Sequence, residues 1–143
     1  SEVLLNKGHR INMAHVPQGD KIFRGTVREN LLMAAGDVDD TRLTDVISLS
    51  CAEFVYELPK GLDTPINETG IGLSEGQAHR IALARSLMRP CTIWIFDELT
   101  AALDRKTADK LMDRLLVEGR DKIIFFITHD TILANRCTYQ LYL

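Results

Sequence analysis

The sequence predicts an α/β fold in which a parallel-sheet core carries an inserted, mostly helical segment. Three observations predict it. Thr92–Phe96 and Lys122–Ile127 are continuous apolar runs, the pattern of strands covered on both faces of a parallel sheet. Between them lies a stretch that Asp104 can cap and Gly119 can stop, so strand, helix and strand alternate after residue 91. The span from residue 23 to residue 89, in contrast, reads as helix and loop.

The elements follow in order. Val3-Leu4-Leu5 and Ile11 to Val16 read as short strands joined by a turn at Lys7-Gly8, and Pro17 ends the second, leaving Gln18 at its exit. Thr26 and Glu29 form a capping box that opens a helix toward Ala34. Asp39 or Asp40 can cap another, with Leu43, Val46, Ile47 and Ser50 on one face. Ala52 to Glu57 is a third short helical stretch, and Pro59 to Gly72 is loop. Ser74 starts a long helix that runs to Met88 and stops before Pro90. In the second half, Asp104 caps a helix to Val117, Thr131 to Asn135 is a short helix, and Tyr139 to Leu143 is a final strand.

A chain of 143 residues is about one domain, long enough to bury a core. Its formal net charge of −3 gives no reason to expect a nucleic-acid partner, which calls for a strong basic excess. No apolar run is long enough to span a membrane, and Ser1 to Arg10 is mixed and polar, unlike a secretory leader. Cys51, Cys91 and Cys137 are scattered and odd in number, which argues against a disulfide framework or a zinc site and suits a reducing cytosol.

Four sets of residues carry chemistry. Asp97 and Glu98 stand at the carboxyl end of an apolar strand, where open parallel sheets gather ligands. One carboxylate there can hold Mg²⁺ through water, and its neighbour can orient or deprotonate a water. His129 ends the next apolar strand and can reach the same edge, where an imidazole can hydrogen-bond a terminal phosphate. Gln18 also follows a strand, and its amide can touch a metal or a water. Leu73-Ser74-Glu75-Gly76-Gln77 presents a helix N-terminus whose free N–H groups suit phosphate; Ser74 adds a hydroxyl and Gly76 lets the backbone approach closely. Each pattern alone also has a plain structural use: a turn after a strand, a surface histidine, a loop glutamine, a serine cap. Their order is what decides.

Taken in that order, the motifs resemble the nucleotide-binding domain of the ABC ATPases. Val16-Pro17-Gln18 is similar to the Q-loop, and Leu73 to Gln77 to the signature motif, with Arg80 to Leu87 matching the helix that follows it. Ile93 to Glu98 resembles Walker B with the catalytic glutamate, Thr100 to Asp104 the D-loop, and Ile127 to Asp130 the switch-histidine loop. The resemblance implies a partial RecA-like P-loop NTPase core with the helical subdomain of that family. The core would take residues 1–22 and 90–143, and the subdomain 23–89. It implies ATP as ligand with Mg²⁺. Glu98 would polarise the attacking water, Asp97 support the metal, Gln18 sense metal and γ-phosphate, and His129 contact the γ-phosphate. Ser74, Gly76 and Gln77 would act in trans on ATP held by a second nucleotide-binding domain, with Asp104 at that dimer interface.

Phe23 to Leu31 is similar to the stretch after the Q-loop in exporter-type members, and Leu58 to Thr64 with Ile66, Glu68 and Gly70 is exporter-like as well. The resemblance thus implies membrane domains as partners, a place at the cytoplasmic face of the membrane, and no nucleic acid. The rival is a docking or regulatory module that has lost hydrolysis, although the hydrolytic residues all stand in place.

Three departures matter. Glu75 stands where the family most often has glycine, and Leu99 replaces a small residue or proline. The family's glycine-rich phosphate loop, expected upstream of Val3, is not among these residues, nor is the adenine-stacking aromatic. The chain is therefore expected to be a fragment that binds ATP weakly or not at all and does not turn it over alone. It is also expected to expose an apolar edge beside Walker B and to self-associate through it.

Overall fold

The computed structural model describes residues 12–142 apart from 20, 34, 37 and 68–71. The strand at Val3–Leu5, the Lys7-Gly8 turn, Glu68 and Gly70 lie outside the described residues.

The first strand of the described residues is β1 (Met13–Val16). A two-residue strand β2 (Gly25–Thr26) leads into α1 (Val27–Leu32), and Thr26 and Glu29 form the expected reciprocal cap. Such a cap contributes about 1 kcal/mol. Buried Asn30 ties this entry down: its Oδ1 accepts from the Phe23 N–H at 2.7 Å, and its Nδ2 donates to the carbonyls of Phe23 and Thr26. Asp39 caps α2 (Asp40–Leu49), which buries Leu43, Val46, Ile47 and Leu49. The stretch read as helix at 52–57 is a 3₁₀ turn, Glu53–Glu57.

The stretch from Pro59 to Gly72 is less plain than its composition suggests. It holds a second 3₁₀ turn, Gly61–Asp63, and the short strand β3 (Pro65–Ile66), which pairs antiparallel with β2. α3 (Glu75–Leu87) follows, with Ser74 as its cap. It buries Ile81, Ala82, Leu83, Ala84 and Leu87, more than one stripe, because it is packed by α1, α2 and β1.

β4 (Ile93–Asp97), α4 (Arg105–Glu118), β5 (Ile123–Ile127) and the single-turn α5 (Thr131–Ala134) complete the described chain. β1, β4 and β5 form one parallel sheet in the order β1-β4-β5, with Val16 level with Phe96 and Phe96 level with Phe126. Val16, Trp94 and Phe96 face the helices, and the Phe96 ring sits between those of Trp94 and Phe126 at 5.9 and 5.5 Å. Burying a side chain of that size stabilises by roughly 2–3 kcal/mol. Gly119 lets the end of α4 settle on this face: a Cβ there would lie 2.4 Å from Ile124 Cδ1 and 2.9 Å from the Leu115 carbonyl oxygen.

The other sheet face is open, and here two expectations are corrected. β5 is not covered on both sides: Ile124 and Phe126 pack inward, while Ile123, Phe125 and Ile127 are 57%, 55% and 54% exposed. The free edge also lies elsewhere than expected. Among the described residues β4 is the middle strand, paired on both sides, and β1 and β5 are the outer ones. Residues 139–142 form no strand, and Tyr139, Leu141 and Tyr142 are exposed.

Candidate functional site

The register of the sheet fixes where the chemistry gathers. Val16 and Phe96 are level, as are Asp97 and Ile127, so Gln18, Glu98 and His129 all leave the sheet at its carboxyl edge. Strand alternation then separates the two carboxylates. Asp97 falls on the open face with Ile93 and Ile95, opposite buried Trp94 and Phe96. Glu98 breaks the alternation: its φ of +50° is a left-handed conformation that costs a non-glycine residue about 1–2 kcal/mol. Two bonds hold it there. Its N–H donates to the Ile127 carbonyl at 2.8 Å, and its Oε1 accepts from the His129 N–H at 3.2 Å.

Glu98 thereby turns toward α3. Gln18, Gly19, Glu75, Ala78, His79, Glu98, Ala101 and Ala102 line a cleft of about 380 Å³. The cleft joins three motifs legible in the sequence: the turn after β1, the start of α3 and the turn after β4. Sequence reasoning singled out none of Gly19, Ala78 and His79, which line the cleft because the turn after β1 and the start of α3 meet there. Asp97, His129, Ser74, Gln77 and Asp104 do not line it. His129 stands above Glu98 with its Nε2 3.7 Å from Glu98 Oε1 and its side chain 99% exposed, against 17% for Glu98. The glutamate is thus held by the histidine's backbone, while the imidazole stands beside the same carboxylate and is exposed to solvent.

Ser74 and Gln77 are partly engaged with each other. Ser74 Oγ accepts from the Gln77 N–H at 3.0 Å, and Gln77 Oε1 accepts from the Ser74 N–H at 2.9 Å. This reciprocal cap shapes the helix start and leaves the N–H groups of the first turn at its mouth. Gly76 is required for packing: a Cβ there would stand 2.6 Å from the Ala102 carbonyl oxygen and 3.2 Å from Leu103 Cδ2. The first turn of α3 is therefore pressed against the 99–103 turn of its own chain. Just beyond, Asp104 caps α4, accepting from the Thr107 hydroxyl at 2.6 Å and the Thr107 N–H at 3.0 Å. These bonds, the hydroxyl's first, hold its carboxyl below the ordinary 3.8.

Among the described residues, no group of three or more His, Cys, Asp or Glu side chains could hold a metal by itself. The oxygen donors at this edge, Asp97 and Gln18, fit a cation that takes one or two protein ligands and completes its shell with water and phosphate. No helix among the described residues is long and apolar enough to cross a membrane.

Fold and site together define an α/β domain whose chemistry sits at the carboxyl edge of a parallel sheet, beside a helix N-terminus. The family described as ABC transporter matches residues 5–101, and the chain belongs to that family. It is 32% identical over 121 residues to the glutathione/L-cysteine transport system ATP-binding/permease protein CydD of Escherichia coli (strain K12), a match covering 84% of this chain and 21% of that one. It is 35% identical over 132 residues to the transport/processing ATP-binding protein ComA of Streptococcus pneumoniae (strain ATCC BAA-255 / R6), covering 91% and 18%. A bacterial Atm1-family ABC exporter solved with ATP bound superposes with a TM-score of 0.81 at 27% identity, over 87% of this chain and 22% of that chain. The chain thus spans about a fifth of the length of the curated relatives it matches. It has the mixed α/β fold of a partial P-loop NTPase core, similar to that of the ABC exporter it superposes on.

Proposed function

We propose that these residues supply the hydrolytic edge of an exporter's ATPase and, in trans, the signature that closes over a second domain's ATP. The observation that carries this reading is the position of Glu98, held in a left-handed turn by the His129 N–H and directed into a cleft shared with Gln18. In that reading Glu98 accepts the proton of the attacking water, His129 reaches the γ-phosphate with its exposed imidazole, and Gln18 contacts the water or the metal. Asp97, on the open face of the sheet, supports Mg²⁺, which when bound neutralises charge on the transferred phosphoryl group.

Ser74, Gly76 and Gln77 serve the partner's nucleotide through the N–H groups of the first turn of α3. Asp104 sits at the interface between the two domains, which are copies of this chain or a homologous pair. The segment 23–89 acts as the helical subdomain, and 1–22 with 90–143 as the core. Membrane domains are the further partners, as the permease names of the relatives suggest, and the domain works at the cytoplasmic face of the membrane. Residues 1–143 hold no glycine-rich phosphate loop, so by themselves they bind Mg-ATP weakly or not at all and do not turn it over.

The test is ATP hydrolysis by the complete protein carrying these residues, reconstituted in lipid, with calorimetry on residues 1–143 in parallel. Hydrolysis by the former and no heat of binding from the latter are expected. A folded complete protein that binds its membrane partner and turns over no ATP would instead be the non-hydrolytic docking module. Micromolar binding by residues 1–143 would overturn the weak-binding reading.

A further inference from the structure

Opposite charges stand one residue after Asp104 and one residue after His129, and the fold brings them together. Arg105 follows Asp104 at the start of α4, and Asp130 follows His129. Arg105 Nη1 lies 3.4 Å from Asp130 Oδ2, while its Nη2 holds Asp109 Oδ1 at 2.8 Å one turn along α4.

Asp130 divides its carboxylate between two tasks. Oδ1 accepts from the N–H groups of Ile132 at 2.9 Å and Leu133 at 3.2 Å, capping α5. Oδ2 faces Arg105. The Asp130 N–H donates to Thr128 Oγ1 at 3.0 Å, and the His129 N–H donates to Glu98. The backbone N–H groups of His129 and Asp130 are therefore tethered, while the imidazole is exposed. An ion pair this exposed and this long adds little to stability. What it does is join the start of α4 to the loop that carries His129. Asp104 and Arg105 are adjacent on one helix start, so whatever seats Asp104 also sets Arg105.

We propose that Arg105 is a positioning residue, holding Asp130 so that the 128–130 loop presents the His129 imidazole to the phosphate and the Glu98 carboxylate to the water that attacks it. The proposal rests on the reading of Glu98 and His129 as the hydrolytic pair, and adds to it a residue outside the motifs' own chemistry.

The test uses the complete protein with Arg105→Gln, Arg105→Lys, Asp130→Asn and the double variant Arg105→Gln/Asp130→Asn. Asparagine keeps an Oδ1 for the α5 cap while removing the charge. The expected result is a kcat lowered about three- to tenfold in Arg105→Gln and in Asp130→Asn, with KM for ATP changed less than about twofold. The double variant falls no further than either single one, and Arg105→Lys recovers most of the loss. The proposal is overturned if both single variants keep kcat within about twofold of the parent, or if their effects multiply in the double variant. A loss that follows a lowered melting temperature would equally overturn it, as a merely structural effect. Glu98→Gln in the same preparation separates the two levels. If Glu98→Gln is inactive and Arg105→Gln is normal, the positioning role alone fails. If Glu98→Gln hydrolyses like the parent, the hydrolytic reading beneath it fails.

Discussion

The backbone N–H of His129 donates to Glu98 Oε1 at 3.2 Å, while the Glu98 backbone sits at a φ of +50°. The side chain proposed as base is thus anchored by the main chain of the residue proposed to touch phosphate. The left-handed turn is a local cost borne at the site. Glu98→Gly would relieve about 1–2 kcal/mol of that strain, offset by roughly 0.5–1 kcal/mol of glycine entropy and by the lost bond to His129. Chemical denaturation is expected to find the variant within about 1 kcal/mol of the parent, although Glu98 lies in a cleft.

Gly76 carries a second prediction. Its missing Cβ makes room for the Ala102 carbonyl oxygen, a backbone atom 2.6 Å from where that carbon would be. Gly76→Ala is expected to cost about 1–3 kcal/mol, because either α3 or the 99–103 turn must move. Denaturant titration reads the loss directly, without nucleotide. An unchanged midpoint would mean that the two turns are not in contact.

Asp104 gives a pH dependence. Its carboxyl is held below 3.8, first by the Thr107 hydroxyl and then by the Thr107 N–H. A depressed carboxyl contributes stability that is present above its unfolded value and lost as the pH falls through its folded value. The stability difference between the parent and Asp104→Asn is therefore expected to shrink as the pH drops below about 4. Urea midpoints taken across that range check it, and a constant difference would contradict it.

The open face of β5 yields a prediction about association. Ile123, Phe125 and Ile127 share one exposed face of an outer strand. Contiguous apolar surface of this kind drives self-association. A polypeptide limited to these 143 residues is expected to gain apparent mass with concentration by light scattering, and Phe125→Lys to reduce that gain. A sharp monomer mass at high concentration would count against it.

Much of this structure is legible in the sequence wherever the chemistry is local. Thr26, Ser74, Asp39 and Asp104 each mark a helix start by bonding an N–H three residues away, a local pattern that finds the caps although it leaves Asp39 and Asp40 equal candidates. The Gln18, Glu98 and His129 edge follows from three strands ending together in a parallel sheet. What escapes is nonlocal. The run Ile123–Ile127 has no period, so it cannot say that helices cover only the Ile124 and Phe126 side. The pairing of Pro65–Ile66 with Gly25–Thr26 joins segments far apart in sequence and is hidden inside a loop composition. The apolar content of Tyr139 to Leu143 suggests a strand, but a strand needs a partner as well as a pattern. The Arg105–Asp130 pair left one trace in the sequence: opposite charges placed immediately after two motif residues.

The most direct measurement is the rate of ATP hydrolysis by the complete protein with and without Glu98→Gln, alongside nucleotide binding. Removing a general base is expected to lower the rate by about 100-fold or more while ATP remains bound. A Glu98→Gln variant that keeps its rate within about threefold of the parent would show that the carboxylate held by His129 is not the base.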